Sequence, residues 1–256
     1  MTTTETPVPG SGPAPAEEPA PQIVGGNSLA RMLSVLWSPG KAMASVAARP
    51  ALLVPFLVVV LFQGLVTAAI YKPVVIPFQL SQMAERSAEM SPEQRAQMDK
   101  YMASPVAITM GVVGSAVSAA VVPLVWAALM YFVFTLLLSG RADFKAVLSV
   151  CLHASVVQIP HTLVWMPLAI AKQDPRVFFG PSALMDMPDP PTFLYRLLEK
   201  VDMFSLWSWA LLAVGLALVY RKPSRQVLVW VSVVFVAGSV AMAALQGVMG
   251  RFGGGM

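Results

Sequence analysis

Cysteine is nearly missing from this 256-residue chain: Cys151 stands alone, so no internal disulfide can staple its loops. Histidine is almost as scarce, with His153 and His161 the whole supply. Charge is thin too. Asp, Glu, Lys and Arg make up 12% of the residues against 57% hydrophobic, which excludes a water-soluble globule that covers its core with charge. The chain carries a net charge of +4 and a pI near 9.4, but its basic residues never form a run of five or six. No nucleic-acid partner is therefore expected.

What is present is length of apolar sequence. Five runs, about 52–71, 106–138, 144–171, 203–220 and 226–249, meet or approach the roughly 20 residues that cross a hydrocarbon core. The expected fold is an all-α, polytopic membrane bundle of five transmembrane helices within residues 28–250. Residues 1–27, rich in Pro and Ala, read as a disordered tail, and 251–256 as a Gly-rich terminus. The tail lacks the basic start and apolar centre of a secretory signal, so the first run is expected to be an uncleaved span.

Ahead of that run, Leu29, Leu33, Leu36 and Trp37 recur at helical spacing. They predict an interfacial lead-in helix, with Trp37 at headgroup depth and Arg31 and Lys41 toward anionic lipid. After it, Ser91-Pro92 with Gln94 predicts a capped helix in a charged, folded hairpin cap. The second run is too long for one untilted crossing and is expected to kink at Pro123. Gly111 with Ser115 and Gly114 with Ser118 stand four apart in it, a small-residue face that lets another helix approach. Trp165, Trp207, Trp209 and Trp230 suit aromatic belts.

Basic residues at Arg31, Lys41, Arg49, Arg141, Lys145, Arg221, Lys222 and Arg225 fall on one side of a five-span scheme. That side is the expected cytoplasm, with the N-terminus inside and the C-terminus outside. On a helix His153 and His161 would be separated by about 12 Å of rise and roughly 80° of rotation, so they cannot ligate one metal alone. Cys151 and His153 point to different sides, leaving no nucleophilic pair. No catalytic, metal or cofactor residues are therefore assigned. His153, Gln158 and His161 are intramembrane polar groups, expected to hydrogen-bond across the bundle and to carbonyls freed near Pro160 and Pro167. A transport path through them is the alternative.

Four stretches, "LSVLWSPGKAMASVAARPALLVPFL", "MSPEQRAQM", "GRADFKAVLSVCLHASVVQIP" and "VDMFSLWSWALLAVGLALVYRKP", resemble in order and spacing the Yip-domain integral membrane family in its bacterial branch. The resemblance runs from Leu33 to Met249 and implies a non-enzymatic membrane scaffold or organiser of the bacterial inner membrane. Such a protein would associate with itself, with lipids or with other membrane proteins. The eukaryotic branch is associated with Rab-type GTPases, but its Asp-Leu-Tyr-Gly-Pro signature is absent here, so that binding is not carried over. Asp202 stands where the family has an acidic residue at the mouth of the fourth span. Its chemistry reads as a helix cap for Phe204 or Ser205, or as a partner contact.

Overall fold

The computed structural model describes residues 27–86, 91–188 and 191–253. The Pro/Ala-rich tail up to residue 26 and the glycines at 254–255 lie outside the described residues. Five helical segments are long and apolar enough to cross a membrane: Leu53–Gln82, Pro105–Leu137, Phe144–Lys172, Met203–Tyr220 and Ser224–Val248. Among the described residues there is no strand.

The lead-in segment is two helices. α1 (Ser28–Ser34) is capped by Asn27, whose side-chain oxygen accepts from the Ala30 N–H at 2.8 Å, and α2 (Pro39–Ala48) starts on Pro39 at its first position, where a missing N–H costs nothing. Both pack one face on the bundle. Met32, Val35, Met43 and Val46 are fully buried against the spans. Arg31, expected to face anionic lipid, is instead buried: its guanidinium donates to the Arg49 carbonyl at 3.1 Å and to Ser28 Oγ at 3.4 Å. The apolar spacing was compatible with burial in lipid or in protein, and packing decided for protein.

The first span is longer than its apolar run. α3 (Leu53–Ile70) passes through a π-helical turn, Tyr71–Val75, into α4 (Ile76–Arg86), so part of the stretch expected as hairpin continues the span. Pro73 lies inside that turn, where its missing N–H breaks the regular ladder. α5 (Pro92–Met102) carries the full capping box between Ser91 and Gln94. α6 (Pro105–Tyr131) carries Pro123 in its interior and passes into a π segment at Phe132–Leu137.

The third span is divided. α7 (Phe144–Ala154) ends in a 3-10 turn, Ser155–Val157, and α8 (Gln158–Lys172) restarts with Pro160 in its first turn. In an unbroken helix the Pro160 ring would clash with the Val156 carbonyl, whereas the first turn of a new helix needs no N–H there. This is the most enclosed span, 61% buried against 17–44% for the others. Ser149, with no exposure, holds the chain leaving α2: its hydroxyl donates to the Ala51 carbonyl at 3.0 Å and accepts the Ala51 N–H at 3.1 Å. After the short α9 (Phe193–Leu198), α10 (Met203–Tyr220) packs on α2, α7 and α11 (Ser224–Gly253). A side chain at Gly215 would overlap Val150 of α7 and come within 3.1 Å of Met43 Sδ of α2, so hydrogen alone permits this three-helix approach.

Candidate functional site

The two groups of candidate residues on the second and third spans meet in part. Ser115 and Ser118 of α6 and Gln158 of α8 line one cavity of about 520 Å³, together with Gln63 of α3 and Ser208 of α10. Gln63 lies about 15 Å along the span from its Leu53 end, and Ser118 about 20 Å from Pro105, which puts the cavity near mid-depth in a core about 30 Å thick. Met32 of α1 and Cys151 of α7 also line it. Aromatic rings supply much of the remaining wall: Phe62, Trp126, Trp209 and Phe235, with Trp126 and Phe235 stacked at 6.3 Å. Trp209, expected at an interfacial belt, packs its ring on Phe235 here.

Polar groups in this lining are only partly satisfied from within. Ser115 donates to the Val112 carbonyl at 2.8 Å and Ser155 to the Cys151 carbonyl at 2.9 Å, each folding back on its own helix. Ser208 Oγ is buried and makes no hydrogen bond among the described residues. Among the described residues no Asp, Glu, Lys, Arg or His lines the cavity, and no group of three or more His, Cys, Asp and Glu could hold a metal ion.

The remaining candidates serve other places. Gly111 receives the Tyr71 ring of the chain's own first span, which leaves no room for a side chain, and Tyr71 Oη donates to the Ala107 carbonyl at 3.0 Å. A side chain at Gly114 would meet nothing within 4 Å. His153 is wholly buried, with Nδ1 2.7 Å from the Ser149 carbonyl one turn back and Nε2 unpartnered among the described residues. His161 sits edge-on to Phe179 and Phe204 at 5.6 and 5.1 Å. Among the described residues neither imidazole makes the expected cross-bundle hydrogen bond.

Asp202 caps α10. One carboxylate oxygen accepts the Phe204 and Ser205 N–H groups at 2.7 and 3.0 Å, and the other accepts the Ser205 hydroxyl at 2.5 Å. In the preceding loop the Arg176 guanidinium grips Asp174 at 2.6 Å and lies 4.9 Å over the Phe78 ring. The Trp165 indole N–H donates to the Pro175 carbonyl at 3.1 Å, so this ring ties helix to loop.

Five membrane-length helices around a largely apolar cavity that carries a few serines and glutamines define a polytopic integral membrane protein. The Yip1 domain matches residues 33–245, and the chain belongs to that family. No curated protein and no solved structure matches it.

Proposed function

We propose that this protein is a non-enzymatic organiser of the bacterial inner membrane, acting by association with itself, with lipids or with other membrane proteins. The N-terminus lies in the cytoplasm. Arg49, Arg141, Lys145, Arg221 and Arg225 are exposed at the end where α3, α7 and α11 begin, which supports this orientation by the bias of basic loops toward the cytoplasm. The observation that carries the reading is the floor laid by α1 and α2. Met32, Val35, Met43 and Val46 pack without exposure into the basic end of the bundle, below the cavity, where a solute path would have to open.

A transport reading has one observation in its favour, the mid-depth cavity with uncharged hydrogen-bonding groups. Labelling separates the two. With Cys151→Ala as background, Ser208→Cys is challenged by a membrane-impermeant maleimide from the cytoplasmic face of inverted vesicles. The association reading expects no labelling from that face. Comparable labelling from both faces would overturn it in favour of alternating access.

A further inference from the structure

The chemistry of the cavity restricts its occupant more than its size does. At about 520 Å³ it falls in the range of small-molecule sites. An anionic phosphate drawn to this depth would find no cation, because among the described residues no Lys, Arg or His lines the walls. Phospholipid heads also reside at the water interface, about 15 Å from the bilayer centre. A purely hydrocarbon guest fits no better. It would leave the exposed Gln158 amide in the lining facing apolar atoms, and that amide favours a hydrogen-bonding guest. The rings of Phe62, Trp126, Trp209 and Phe235 offer flat apolar surface for its body.

We infer that the cavity binds an uncharged amphiphile whose head carries carbonyl or hydroxyl groups and lies at mid-membrane depth, the chemistry shared by isoprenoid quinones and diacylglycerols. Gln158 holds the head, and the aromatic wall holds the adjoining ring or chain. The inference rests on the association reading, since it makes the cavity the place where the protein holds a membrane component.

The test uses the full chain in neutral detergent, titrated with a decyl-substituted benzoquinone, with dioctanoylglycerol and with dioctanoyl-phosphatidylglycerol as the charged comparison. Complexes are counted by native mass spectrometry, and thermal unfolding reports folding. At least one neutral probe is expected to bind saturably, one per chain and about tenfold more tightly than the charged probe. Which neutral probe binds more tightly identifies the source. Gln158→Leu, which keeps the volume and removes the amide, is expected to weaken the neutral probe about fivefold, the loss of one hydrogen bond. Ser208→Leu, which fills the cavity, should abolish binding. Equal binding of the charged probe, no saturable neutral binding, or unchanged binding in Gln158→Leu with wild-type unfolding would each overturn the inference. Labelling of Ser208→Cys from the cytoplasmic face bears on the association reading instead, so the two failures are distinguishable.

Discussion

Gly215 and Gly111 show how little separates an interface from a clash. Each meets another helix where a Cβ has no room, Gly215 against Val150 and Gly111 against the Tyr71 ring. Gly215→Val should lower stability by about 1–3 kcal/mol through overpacking, whereas Gly114→Ala, with open space around it, should be nearly neutral in the same detergent unfolding assay. Spacing made Gly111 legible in the sequence. It did not reveal that the contact is with the chain's own first span, nor did it mark Gly215, which stands among Val, Leu and Ala with no small residue four away. Ser115 and Ser118 were visible as small residues, but small side chains can serve a packed seam or a void, and only the position of α8 and α10 decides between them.

Asp174 gives a residue-scale pH prediction. Burial raises its carboxyl, but the Arg176 side chain and N–H, with Lys172, outweigh this and hold it below its ordinary 3.8. Since the folded value lies below the unfolded one, its contribution is present above the ordinary value and is lost as pH falls through the folded value. The loop should therefore stay anchored until the medium is more acidic than about pH 4, read by Trp165 fluorescence. In Arg176→Gln, with burial no longer opposed by the guanidinium, loosening should begin at higher pH. An unchanged acid midpoint would contradict the pairing.

Among the elements, α1 and α2 depart furthest from their sequence reading. An apolar stripe looks the same whether lipid or protein covers it, so spacing predicted a helix without saying where it docks. The buried face makes α1 and α2 part of the core, while Trp37 is 67% exposed. Met43→Ala should then destabilise the bundle by about 2–5 kcal/mol, and Trp37→Ala should leave unfolding unchanged. Equal, small effects would contradict this packing. The third span was legible in length but not in its division. Pro160 forecast an interruption, but the 3-10 turn that brings Ser155 and Gln158 into the cavity lining depends on packing around it.

For the whole molecule, the five crossings were readable because lipid leaves helices as the simplest way to satisfy the backbone, and each needs a run of about 20 apolar residues. The cavity was not readable, since its lining comes from α1, α3, α6, α7, α8, α10 and α11 and no single run contains its pattern. The most direct test of the account is sided labelling of single cysteines in a Cys151→Ala background, at Gln97 and Asp186 in the connections proposed to lie outside and at Arg225 in the one proposed to lie inside. Gln97→Cys and Asp186→Cys should react with an impermeant maleimide only from outside, and Arg225→Cys only from the cytoplasm. Labelling of Gln97→Cys and Arg225→Cys from the same face would contradict the five-crossing arrangement on which the cavity and its floor depend.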